Sequence, residues 1–112
     1  MLLFHITDQA TWEAVKNSQF YEGDTLLSER FIHCCFREQI EGVLSNWFKG
    51  KDNLVLLEID PQKVRSPIQY ENLDGGNDTF PHIYGPINTD AVLNVQHIKK
   101  GKWNEQTRNG IP

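Results

Sequence analysis

The chain has 112 residues and a net charge of −4, from 11 basic and 15 acidic side chains, which is enough for one core and too little for two. It contains no apolar run near the roughly 20 residues of a membrane span, no basic and cleavage-site pattern of a signal peptide at Met1–His5, and no basic cluster beyond Lys99-Lys100. A cytoplasmic domain is expected, with no membrane partner and no nucleic-acid partner held through phosphates.

Leu2 to Ile6 is apolar apart from His5 and predicts a first strand. Thr7 or Asp8 can cap a helix running to about Asn17, with Trp12 and Val15 inward. Residues 18–29 show no period and contain Gly23, which predicts a loop. Phe31 to Phe36 is a run of β-formers. Its alternation puts Phe31, His33 and Cys35 on one face and Ile32, Cys34 and Phe36 on the other.

Residues 37–48 carry Ile40, Val43, Leu44 and Trp47 at i, i+3, i+4 and i+7, one apolar stripe of a helix, and Gly50 is a natural stop. Leu54, Val55, Leu56, Leu57 and Ile59 form a nearly unbroken apolar run, which predicts a strand covered on both faces and central in its sheet. Pro67 to Asn72 alternates, Ile68 and Tyr70 against Gln69 and Glu71; the proline fits a strand start or an edge. Ala91 to Ile98 is a last strand, and 99–112 a loosely held polar tail after a core of about 2–98. Two early helices and later strands joined by short connections predict an α+β domain with a mixed or mostly antiparallel sheet.

Between those last strands lies Phe80-Pro-His-Ile-Tyr-Gly-Pro-Ile-Asn88. Pro81, Gly85 and Pro86 stiffen it, and His82 and Tyr84, two apart, share a face if the backbone is extended. The glycine-rich 74–79 stretch before it predicts a flexible loop, so this segment is a candidate for a site that closes over a ligand. The alternative is a tight connection whose His82 and Tyr84 only pack.

His5, His33 and His82 each sit in an apolar strand or a rigid turn, where a histidine is either a hydrogen-bonded core residue or part of a site. They have no local ligand spacing, and CxxC and HExxH are absent, so no metal is expected. Cys34 and Cys35 are adjacent and read as free thiols in a reducing compartment. His33 and Cys35 share a strand face, but neighbours there rarely aim reactive atoms at each other, and a buried structural cysteine is the better reading. Glu71 is the carboxylate singled out, on the strand face opposite Ile68 and Tyr70; the alternative is a solvent-facing glutamate.

His5-Ile6-Thr7 followed by Trp12, then Phe31-Ile32-His33-Cys34, Glu58-Ile59-Asp60, Tyr70-Glu71 and Phe80-Pro-His-Ile-Tyr-Gly85 together resemble the bacterial family called domain of unknown function 952, over about residues 2–95. Two positions depart from the family pattern: Arg30 stands where it has glycine, and Cys35 where it has serine. The family is similar to the ADP-ribosyltransferase fold, a small split sheet with a cleft for NAD. That resemblance implies an NAD- or nucleotide-binding domain with ADP-ribosyltransferase or NAD-glycohydrolase activity. It implies Glu71 and His33 as catalytic residues and His5, Thr7, His82 and Tyr84 as ligand-binding ones. Cleaving the nicotinamide–ribose bond builds positive charge on the ribose, which Glu71 would oppose while His5 held a ribose hydroxyl and Tyr84 stacked on a ring. The alternatives are a non-catalytic nucleotide-binding module and a small histidine-based hydrolase or metal-dependent enzyme.

Overall fold

The structure, a computed structural model, describes residues 1–73 and 75–99. In chain order the elements are β1 (Leu3–Asp8), α1 (Gln9–Val15), β2 (Phe20–Tyr21), α2 (Leu26–Glu29), β3 (Ile32–His33), α3 (Ile40–Trp47), β4 (Leu54–Ile59), β5 (Ile68–Glu71), β6 (Phe80–Ile83), β7 (Ile87–Asn88) and β8 (Val92–Ile98). Short 3-10 turns at Arg37–Gln39 and Thr89–Ala91 lead into α3 and β8. All strand pairs are antiparallel, in sheets of order β1-β4-β8, β3-β6-β5 and β2-β7. This is the expected α+β class with antiparallel sheets. Among the described residues no helix is long and apolar enough to cross a membrane.

β4 is central, as its apolar run predicts, because each of its faces has a core of its own. Val55, Leu57 and Ile59 join Leu3, Trp12, Ile32, Cys34 and Ile83 in one cluster. Leu54 and Leu56 join Phe4, Ile6, Ile40, Leu44 and Ile98 in the other, beneath α3. At about 25 cal/mol per Å² of apolar area removed from water, such two-sided burial is the main stabilising contribution to the sheet.

The two three-stranded sheets meet at one backbone pair. Phe4 and Cys35 exchange both of their hydrogen bonds at 2.8 Å, and β1 and β3 then diverge. The gap beyond that pair is spanned by the His5 side chain, whose Nδ1 lies 2.5 Å from the His33 carbonyl oxygen.

Local chemistry accounts for the elements near this split. Asp8 caps α1, its carboxylate accepting from the Thr11 N–H at 2.7 Å and the Thr11 hydroxyl at 2.9 Å. α1 ends at Val15 rather than Asn17, with the Lys16 N–H still bonded to Trp12 O. α2 ends on Arg30 in the left-handed region, φ 72°, its N–H bonded to Leu26 O at 2.8 Å. The family glycine fits that turn freely; Arg30 keeps the turn and accepts the strain.

Four expectations are corrected. Residues 18–29 are not featureless: Tyr21 in β2 is buried and pairs with Ile87, a partner 66 positions away that no local pattern reveals. The expected 31–36 strand is ordered only at Ile32–His33 and the Cys35 bridge, because the chain switches sheets there. Trp47, the last residue of the helical stripe, is 70% exposed, since the stripe outruns the sheet edge it packs on. The 80–88 stretch is not a turn: it supplies β6, the middle strand of its sheet, and β7. Pro81 is tolerated in a middle strand because its carbonyl faces Cys34, just past the end of β3, so the missing N–H falls where the ladder stops. The expected tail from residue 100 onward lies outside the described residues.

Candidate functional site

Where the sheets part, a cleft of about 790 Å³ opens. One side is formed by α3 and the residues after it: Val43, Trp47, Phe48 and Lys51. The other is formed by the split strands and their approaches, with His5, Thr7, Phe31, His33, Glu71 and His82. The cleft therefore gathers three histidines that lie 28 and 49 positions apart in the sequence.

Strand alternation explains the second side. One face of β5 carries Ile68 and Tyr70, the other Gln69 and Glu71. In the antiparallel register Glu71 stands against Phe80 and Gln69 against His82, while His33 stands against His82 across β3. Glu71, His82, His33 and Phe31 thus share the cleft side of this sheet. Ile32, Cys34, Ile68 and Ile83 take the core side.

His82 and Tyr84, two apart on β6 and just beyond it, converge on one oxygen. The Nδ1–H of His82 donates to Glu71 Oε1 at 2.9 Å, and the Tyr84 hydroxyl donates to the same atom at 2.7 Å. Those bonds, His82 first and Tyr84 second, hold the Glu71 carboxyl below its ordinary range. Reciprocally, the carboxylate pushes the Tyr84 hydroxyl up. Phe31 stacks on the His82 ring, centroids 4.1 Å apart and planes 27° apart, which fixes the ring's orientation.

His5 is differently placed. Its ring is buried, Nδ1 must donate to the His33 carbonyl, and Nε2, 2.7 Å from the Tyr21 hydroxyl, must then accept from it. The Thr7 side chain, beside the same hydroxyl, favours its ionised form and partly opposes its burial. Burial pushes His5 down to about 4, against the opposing pull of the His33 carbonyl and Asp24, so it is neutral at pH 7. Burial also raises the Tyr21 hydroxyl. Both His5 nitrogens are committed within the fold, and a ligand hydroxyl reaches His5 only by displacing Tyr21.

His33 is half exposed at the rim, its Nε2 3.0 Å from Glu29 Oε1. Cys34 and Cys35 are buried free thiols. Burial raises Cys34 well above its ordinary range and pushes Cys35 up to about 12, so neither is a nucleophile at neutral pH. Among the described residues no cluster of three or more His, Cys, Asp or Glu side chains is arranged to hold a metal ion.

Of the residues named from the sequence, His5, Thr7, His33, Glu71 and His82 line the cleft, and Tyr84 reaches it through Glu71. Sequence reasoning missed Tyr21, Glu29, Trp47 and the role of Phe31. Tyr21 carries no signal in a stretch without periodicity. Phe31 stands in the right alternation with His33, and that pattern was its only trace.

Charge is unevenly spread. Asp8, Asp24, Glu29 and Glu71 line the cleft, against Lys51 as the sole lysine or arginine among its lining residues. The acidic groups Asp24, Glu29 and Glu71 lie with the histidines; Lys51 lies beyond α3, its ammonium 5.7 Å from the Phe48 ring centroid.

The family described as Protein of unknown function (DUF952) matches residues 6–95 of the chain. Two crystal structures of protein CC0527 from Caulobacter crescentus, one of them of a double mutant, are each 31% identical, with a TM-score of 0.76 over 86% of this chain and 84% of that one. The solution structure of CC0527 has a TM-score of 0.71 over 88% of this chain and 84% of that one, again at 31% identity. No curated protein matches the chain.

Proposed function

The chain belongs to the DUF952 family, and from that premise we propose that its cleft binds a nucleotide-type ligand, with NAD as the candidate, and breaks the nicotinamide–ribose bond on an ADP-ribosyltransferase-like frame. The observation that carries this reading is Glu71: an ionised carboxylate lining a sizeable cleft, fixed through one oxygen by His82 and Tyr84. A carboxylate so held costs no reorganisation when positive charge develops on a ribose beside it. The split sheet, with its histidine on β1 and its glutamate on a strand of the other sheet, supports the frame.

Charge supports one orientation of the ligand. The nicotinamide ring of NAD is cationic and suits the end lined by Asp24, Glu29 and Glu71; the anionic diphosphate suits Lys51, whose charge Asp8 shares. Val43, Trp47 and Phe48 offer apolar surface for the adenine. His33, paired with Glu29 at the exposed rim, is the group an incoming acceptor would meet. His5 serves by bridging the split to the His33 carbonyl and fixing Tyr21, and Thr7 lines the cleft beside it.

The test is NAD titration beside nicotinamide release for wild type and Glu71→Gln. Glutamine keeps size and one acceptor but removes the charge, so binding should persist while the rate falls about 10²- to 10³-fold. Failure of the folded wild type to bind NAD overturns the reading. Binding without release leaves a non-catalytic nucleotide module.

A further inference from the structure

Two histidines of the cleft are buried, and the fold uses them unequally. His5 has both ring nitrogens occupied. The His82 side chain is 6% exposed, yet only its Nδ1 is bonded; its Nε2 has no hydrogen-bond partner among the described residues. Leaving half of a buried imidazole's bonding capacity idle costs free energy. The ring is nonetheless held firmly, by Glu71 at Nδ1, by Phe31 stacked on its face, and by His33 in a T-shaped contact at 5.4 Å. The ring lines the cleft, and that rigidity fixes the direction of its one unbonded nitrogen.

We propose that His82 Nε2 is the general base of this cleft and that the group it activates is a hydroxyl, of water or of an acceptor alcohol. The inference rests on the nucleotide reading above and adds the base and the acceptor class to it. As the O–H oxygen bonds to the anomeric carbon, its proton passes to Nε2. The carbon–nitrogen bond breaks with its electron pair going to the pyridinium nitrogen, and neutral nicotinamide leaves. The ribose ends bonded to oxygen, and His82 ends as imidazolium against the Glu71 carboxylate.

Each neighbour has a place in that step. Glu71 keeps the proton on Nδ1, so the lone pair stays on Nε2, and it stabilises the imidazolium that forms. The Tyr84 hydroxyl shares the Glu71 oxygen and lowers its basicity, so the Nδ1 proton stays on the ring. The acceptor follows from what a neutral imidazole can do. A hydroxyl oxygen has a lone pair while still protonated and loses its proton as the bond forms. A guanidinium or ammonium nitrogen must be deprotonated beforehand, and a carboxylate offers no proton and brings more negative charge to an acidic cleft.

The experiment uses the full chain with NAD as probe. His82→Asn places an amide N–H where Nδ1–H stood, keeps the bond to Glu71 and deletes Nε2. The expected result is NAD affinity within about threefold of wild type, nicotinamide release slower by about 10²- to 10⁴-fold, and loss of the limb of the pH–rate profile due to the base. Wild-type release by His82→Asn, while Glu71→Gln is impaired, overturns the His82 assignment alone and leaves the nucleotide reading standing. No NAD binding, or binding with no release by wild type, overturns both the reaction and the base. If His82→Asn fails to fold, ¹⁵N-histidine spectra of the wild type decide. A proton on Nδ1, with an Nε2 signal that moves on NAD addition, is expected; a proton on Nε2 at neutral pH overturns the proposal.

Discussion

Acid should loosen this protein through His5 before its carboxylates matter. Burial, opposed by the His33 carbonyl and Asp24, lowers the ring from 6.5 to about 4. The unfolded chain therefore takes up a proton below about pH 6.5 that the folded chain refuses until about pH 4. The contribution is fully present above the unfolded value and is lost as pH falls toward the folded one. Each unit of difference corresponds to about 1.4 kcal/mol, so roughly 3 to 4 kcal/mol is at stake, and about three quarters of it is gone by about pH 4.5. Urea unfolding followed by the fluorescence of buried Trp12 measures this. His5→Asn is the control, because its amide N–H can meet the His33 carbonyl but does not titrate. It should be less stable at pH 7, by about 1 to 3 kcal/mol for the lost Tyr21 partner, yet nearly flat between about pH 7 and 4.5. The Glu71 and Asp8 carboxyls, both held below their ordinary values of 4.5 and 3.8, contribute stability that is lost mostly below this window, and they do so in both proteins. Equal losses in wild type and variant across that window would refute the reasoning.

Arg30→Gly should raise stability by about 1 kcal/mol, because it relieves a left-handed residue at the end of α2; an unchanged or lower thermal midpoint counts against the strain. Cys34 and Cys35 should resist thiol reagents in the native protein and react only as fast as it unfolds, so labelling within seconds under native conditions would contradict their burial.

Much of the fold was legible wherever a periodicity met a surface long enough to express it. The Leu54–Ile59 run announced a two-sided strand, and the Ile68–Glu71 alternation announced which side Glu71 would take. Trp47 shows the limit of such patterns: helical spacing tells which residues share a face, not where the opposing surface ends. The 80–88 stretch shows another. Prolines at 81 and 86 argue for a turn on local grounds, and only the end of β3 makes Pro81 harmless in the middle of a sheet. Tyr21 was illegible because its partners, Ile87 and His5, come from other parts of the chain. For the site, residue types and order pointed to His5, His33, His82 and Glu71. The unequal use of His5 and His82 is a matter of hydrogen-bond geometry, which no spacing encodes.

The central strand β4 has one more consequence. Its alternate residues belong to two cores, one holding up the helix that forms the cleft's apolar side, the other backing the sheet that presents Glu71 and His82. Neither side can be cut out and kept folded without the strand both lean on. Truncations or chimaeras that divide the chain near residue 54 should yield no half with partial structure. Substitutions that shorten Leu57 should slacken the side that presents Glu71 and His82, and those that shorten Leu56 the side under the helix, while either lowers the stability of the whole chain.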